Sequence, residues 1–140
     1  MVKFSNCLLA TILGSLSGIH IYWAIQGSGD STAVLPTATV GGRPLFRPSR
    51  SGSMVVALAL ALATSVVLAE ARGWEYERIQ QALRAGKLAI GAAFLLRAIG
   101  DFRYMGIFKK VKATRFARWD TRLYVPLCLL LAALSIVDEA

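Results

Sequence analysis

The sequence predicts an all-α fold: an integral membrane bundle of four helices forming a single domain over residues 1–140. Three observations carry this prediction. Hydrophobic residues make up 56% of the chain and mean hydropathy is +0.55, above the apolar share of about 45–50% in an ordinary soluble domain. Long stretches are free of charge. The 140 residues suffice for one compact unit and leave no length for a separate soluble domain.

Residues 4–29 contain no Lys, Arg, Asp or Glu, and at about 1.5 Å rise per residue the apolar part covers the roughly 30 Å of a hydrocarbon core. This predicts helix one over 4–26. The run 52–69, rich in Ala, Leu and Val and equally uncharged, predicts helix two over 52–71. Helix three is expected over 82–104, although only 88–96 is uncharged; Arg84, Lys87 and Arg97 must then snorkel or face protein. The apolar run 123–137 predicts helix four over 120–137. The N-terminal Met1-Val2-Lys3 followed by an apolar stretch has the look of a secretory signal, but the stretch runs on through "GIHIYWAI", too long for a signal core, so helix one is expected to be retained.

With four spans, both termini and the 72–81 loop share one side, and the 28–51 and 101–121 loops share the other. Lys3, Arg72, Arg78, Arg84 and Lys87 fall on the first side. Arg43, Arg47, Arg50, Arg103, Lys109, Lys110, Lys112, Arg115, Arg118 and Arg122 fall on the second. The positive-inside rule makes the second side cytoplasmic and both termini external. The net charge of +8 then reflects topology and contact with anionic lipid, and calls for no nucleic-acid partner. Cys7 and Cys128 lie within apolar runs as packing residues, a disulfide between helices one and four being the alternative, and no Cys/His cluster suggests a metal. No nucleotide-binding motif or other cofactor signature is present.

The informative layer is the cytoplasmic end. Helix one brings His20, Tyr22 and Trp23 there; helix three brings Phe94, Arg97, Asp101, Phe102 and Tyr104; helix four begins with Trp119, Asp120, Arg122 and Tyr124. If helix three continues past Gly100, Phe94, Arg97, Asp101, Tyr104 and Phe108 share one face, with Arg97 and Asp101 as an i, i+4 pair. On helix one, Ser17 and His20 share a side, and Gly14 and Gly18 form a G-x-x-x-G suited to close helix packing. The extended loop "GGRPLFRPSR" lies at the same end. Two readings stay open: a polar site in a water-poor pocket, or a structural ion pair with an interfacial aromatic belt. Glu70 and the Asp138-Glu139 tail read as exposed helix ends.

"HIYWAI" (20–25), "LFRP" (45–48), "LLRAIGDFRY" (95–104) and "TRFARWDTRLYVPLC" (114–128) resemble the signature segments of a bacterial family of small four-helix membrane proteins known only as a domain of unknown function. The resemblance covers nearly the whole chain and departs from the family's pattern over 27–41. It implies a bacterial inner-membrane bundle and no activity. The chain also bears a fainter resemblance to small integral-membrane terpene cyclases of actinobacterial natural-product pathways. That resemblance implies proton-initiated cyclisation of a lipophilic isoprenoid, which needs a Brønsted acid, a dry cavity and aromatic faces for passing carbocations. The expected acid/base residues are Asp120, Asp101 and His20; the expected substrate-binding residues are Trp23, Phe94, Arg97, Phe102, Tyr104 and Tyr124. The second class of function is a non-catalytic membrane protein that binds lipid or a membrane partner through its basic inner loops, as a monomer or a homo-oligomer.

Overall fold

The computed structural model describes residues 4–27 and 32–137; Met1-Val2-Lys3, the loop start at Ser28, and the Asp138-Glu139 tail lie outside them. Four helices make up the fold: α1 (Phe4–Gln26), α2 (Arg50–Ala71), α3 (Glu77–Ile99) and α4 (Arg115–Ile136). Within α4 a π-helical turn, Asp120–Tyr124, joins two α-helical stretches. Among the described residues the one β contact is an isolated antiparallel bridge between Thr37 and Pro44 in the α1–α2 loop.

Local chemistry sets the helix ends. Gly27 takes φ +86° and its N–H donates to the Trp23 carbonyl at 2.8 Å, closing α1. Ser49 Oγ accepts from the Gly52 N–H at 2.9 Å and so caps α2, which starts at Arg50 rather than at 52. Thr114 Oγ1 does the same for the Ala117 N–H at 3.1 Å, and α4 starts at Arg115 rather than at 120. Helix α3 is displaced at both ends from the expected 82–104. It begins at Glu77, whose carboxylate suits a helix N-terminus, and stops at Ile99 because Gly100 adopts φ +80°.

That stop reshapes the layer. A Cβ at Gly100 would run into the Met105 carbonyl, and one at Gly106 into that of Ile99, so the two glycines let the chain double back on itself. The Ile107 N–H then donates to the Ala98 carbonyl at 2.8 Å. The single helical face expected from Phe94 to Phe108 therefore does not form: Phe94 and Arg97 are on α3, while Asp101, Tyr104 and Phe108 belong to the loop.

Helix α1 packs along α2, α3 along α4, and α2 along α3. Leu9, Leu13, Val67 and Leu131 are fully buried at the centre, with Leu16, Leu60, Phe94 and Leu127 packed around them. Ser17 is buried and its hydroxyl donates to the Ala57 carbonyl at 2.8 Å, tying α1 to α2. The expected close approach through Gly14 and Gly18 is not made among the described residues: a Cβ at Gly14 would have only a methyl of Thr64 at 4.0 Å, and one at Gly18 would meet nothing within 4 Å. The tight crossing is elsewhere. A Cβ at Gly91 would lie 2.8 Å from that of Ser135, so α3 and α4 touch there through small residues.

The outside of the bundle is apolar. Val55, Leu58 and Leu62 of α2 are 65%, 63% and 66% exposed, the pattern of a helix meant to face hydrocarbon. Helices α1, α2 and α4 are each long and apolar enough to cross a membrane, which suggests a membrane protein. Helix α3 carries Arg78, Arg84, Lys87 and Arg97 and falls short of the same apolar standard.

Candidate functional site

Asp120 is the anchor of the charged layer, with none of its surface exposed. Its Oδ1 accepts from Arg97 Nη2 at 3.0 Å. Its Oδ2 accepts from the Gly106 N–H at 2.8 Å and from Lys109 Nζ at 3.0 Å. Lys109 also donates to the Gly106 carbonyl at 3.0 Å. The partner expected for Arg97 was Asp101 on the next helical turn; once α3 ends at Ile99 that geometry is lost, and Arg97 reaches across to α4. Two cations on one carboxylate leave an excess positive charge in this layer, and Arg97 Nη1, buried, has no hydrogen-bond partner among the described residues.

Asp101 turns the other way, to the exposed loop. Its Oδ1 accepts from the N–H groups of Arg103, Tyr104 and Met105 at 3.0, 2.7 and 3.0 Å. Partial burial works against its charge, but the backbone donors, Met105 first among them, together outweigh it and hold the pKa below the ordinary 3.8. Asp101 is a loop-forming carboxylate. Phe102, with φ +62°, stacks on Phe108 at 6.0 Å, and Arg103 lies 5.2 Å over the Tyr104 ring. These residues stay on the loop after α3, outside the bundle core.

Behind Arg97 lies an apolar cavity of about 340 Å³, within the size range of small-molecule sites, about 300–1,000 Å³. His20, Trp23, Phe94, Arg97 and Tyr124, all expected site residues, line it together with Leu16, Val34, Val56, Leu60, Phe116, Leu127, Cys128 and Leu131. A second hollow of about 250 Å³ adjoins it and shares His20, Trp23, Val34 and Val56, closed by Leu35, Phe46, Pro48 and the start of α2. The α1–α2 loop thus forms one wall, held by the Tyr124 hydroxyl donating to the Ala33 carbonyl at 3.0 Å. His20 Nδ1 is 2.9 Å from the Leu16 carbonyl, and its ring meets Trp23 edge-on at 5.1 Å. Phe116 and Tyr124 pack at 5.9 Å. Asp120 and Asp101 are not among the lining residues, and Tyr22 is 61% exposed.

The structure adds residues that the sequence reading did not select. Phe116 sits four residues before Asp120 on α4, and Thr114, an N-cap residue two positions ahead of it, is a helix-start signal that would have placed it. Lys109 carries no such signal, because its inward direction depends on the Gly100–Gly106 turn. At the opposite end of the bundle Glu70, expected as an exposed helix end, is instead enclosed: its Oε2 accepts from Asn6 Nδ2 at 2.9 Å and lies 3.7 Å from Lys87 Nζ, and its Oε1 accepts from Gln80 Nε2 at 3.2 Å. Lys87 is fully buried, which explains how α3 carries a charge at mid-length. Both cysteines are free thiols; Cys128 lines the cavity, and Cys7, expected to pack, is exposed.

Residues 13–135 match the family described as "Protein of unknown function (DUF3995)", and the chain belongs to it. No curated protein and no solved structure matches the chain significantly.

Proposed function

We propose that this member of an uncharacterised family is a four-span membrane protein that binds a lipophilic molecule, of the isoprenoid class, in the cavity at one end of its bundle. The spans are α1 to α4, with α3 tolerated because Lys87 is paired internally with Glu70. On this reading it sits in a bacterial inner membrane, basic loops cytoplasmic and both termini outside. The observation that carries the proposal is the cavity's composition: mostly hydrocarbon and ring faces, with Arg97 in the lining, its Nη2 on Asp120 and its Nη1 a buried donor without a hydrogen-bond partner among the described residues. A branched, unsaturated hydrocarbon fits such walls. An oxygen acceptor at one end of it, such as a carbonyl, ether or epoxide, fits Arg97 Nη1. The test is retention of a prenyl alcohol such as farnesol by the purified chain. Val56→Phe, which fills the wall common to both hollows, should cut retention at least about tenfold (~1.4 kcal/mol). Unchanged retention in that variant sinks the proposal.

The aromatic walls favour a second reading, proton-initiated cyclisation of such a molecule. Trp23, Phe94, Phe116 and Tyr124 offer ring faces to a carbocation. The acid is then His20, because it lines the cavity, whereas both oxygens of Asp120 are already engaged as acceptors and Asp101 lies on the exposed loop after α3. As an imidazolium, His20 keeps one N–H on the Leu16 carbonyl and gives the other to the substrate. His20→Gln should then abolish turnover of an epoxidised farnesyl substrate while farnesol retention stays intact. Turnover surviving in His20→Gln rules out this acid.

A further inference from the structure

On the face of α4 turned away from Asp120, Arg115, Arg118 and Arg122 surround a cleft of about 250 Å³ with Trp119. All four side chains are exposed, Trp119 at 45%. Among the described residues none of the three guanidinium groups has a carboxylate partner; the acid nearest in sequence, Asp120, is fully buried and engaged by Arg97 and Lys109. Three cations gathered without a counter-charge repel one another, and that cost is removed by an anion bound between them. Guanidinium forks match phosphate oxygens in pairs.

What lies beyond the cleft decides which phosphate. Further along α4, Leu123, Leu129 and Leu130 are 45%, 39% and 43% exposed, and Pro126 is exposed among them. Charge at the start of the helix thus gives way to bare hydrocarbon along its length, with an indole at the junction, the position tryptophan prefers at a membrane interface. A soluble phosphate would use only the arginines. A phospholipid would use both parts, its phosphate in the cleft and its acyl chains along the leucines.

We propose that the Arg115–Arg118–Arg122 cleft is a binding site for the phosphate of an anionic phospholipid. The proposal rests on membrane insertion and not on the cavity, which lies on the opposite face of α4, so failure of the farnesol test leaves it standing. The whole chain, purified in a zwitterionic detergent, is titrated with dioleoylphosphatidylglycerol or dioleoylphosphatidylcholine and read by native mass spectrometry. The expected result is a preference for phosphatidylglycerol of at least about tenfold. The preference is lost in Arg115→Gln/Arg118→Gln/Arg122→Gln and kept in Lys110→Gln/Lys112→Gln, which removes two cations from the adjoining loop. Arg118→Gln alone should weaken it, so the proposal stays testable if the triple variant fails to fold. A preference that survives in the arginine variants overturns the site, and so does equal loss in the lysine variant. Displacement of the lipid by millimolar inorganic phosphate would show a soluble-phosphate site and overturn the lipid assignment.

Discussion

Asp101 and Asp120 show how the same side chain is assigned opposite duties by its surroundings. Asp120 is fully buried between Arg97, Lys109 and the Gly106 amide. Removing its charge leaves two cations facing each other, and breaking a buried ion pair of this kind costs about 3–5 kcal/mol. Asp120→Asn should therefore lower the midpoint of thermal unfolding in detergent far more than Asp101→Asn, which keeps an acceptor oxygen for the loop amides. Asp101 instead gives the loop a pH response. Its folded pKa is depressed, so its contribution is fully present above the ordinary value of 3.8 and is lost as pH falls through the lower folded value. The amide resonances of Arg103, Tyr104 and Met105 should stay unchanged between neutral pH and 5 and shift on acidification below 3.8. Movement confined to the range above 5 would contradict the assignment.

At the scale of elements, the turn after α3 and the crossing of α3 with α4 position the site. The turn from Gly100 to Gly106 carries the Gly106 amide and Lys109 back onto α4, which is why Asp120 finds partners from a loop as well as from a helix. The crossing depends on Gly91 having no side chain where Ser135 approaches. Gly91→Leu should push the helices apart and destabilise the fold by about 1–3 kcal/mol, as overpacking does. Measured as a fall in the unfolding midpoint, it should exceed the effect of Gly18→Leu, since a Cβ at Gly18 meets nothing within 4 Å among the described residues. Equal effects at the two positions would mean that α1 is packed by something outside the chain.

At the scale of the molecule, the bundle has polar clusters at both ends and hydrocarbon between. Glu70, Lys87, Asn6 and Gln80 form one; Asp120, Arg97 and Lys109 form the other. In a hydrocarbon solvent, with little hydrophobic drive between helices, such contacts and close packing hold a bundle together. The proposed orientation makes a direct prediction. In intact cells of a bacterial expression host, a cysteine at Arg72, in a Cys7→Ser/Cys128→Ser background, should react with a membrane-impermeant maleimide, and one at Lys112 should react only after lysis. The reverse pattern would invert the topology.

The existence and apolar character of α1, α2 and α4 were legible in the sequence, because uncharged runs of that length have few alternatives to a helix that hides its own backbone polar groups. His20, Trp23, Phe94, Arg97 and Tyr124 were legible as a group, because chain direction alone brings them to one end of the bundle. Ser49 and Thr114 carried the true helix starts in plain view; the charges of Arg50, Arg115 and Arg118 obscured them only for a reading based on hydropathy. Pairing was decided by the tertiary structure. Arg97 stands four residues from Asp101 in sequence but binds Asp120, because a left-handed glycine ends the helix between the near pair and a back-folded loop brings the far pair together. Likewise Glu70 reads as an exposed end until α1 and α3 close over it with Asn6 and Lys87. Sequence determines which groups a chain must keep from hydrocarbon; only packing decides which partner each one finds, since that depends on distances between segments far apart in the chain.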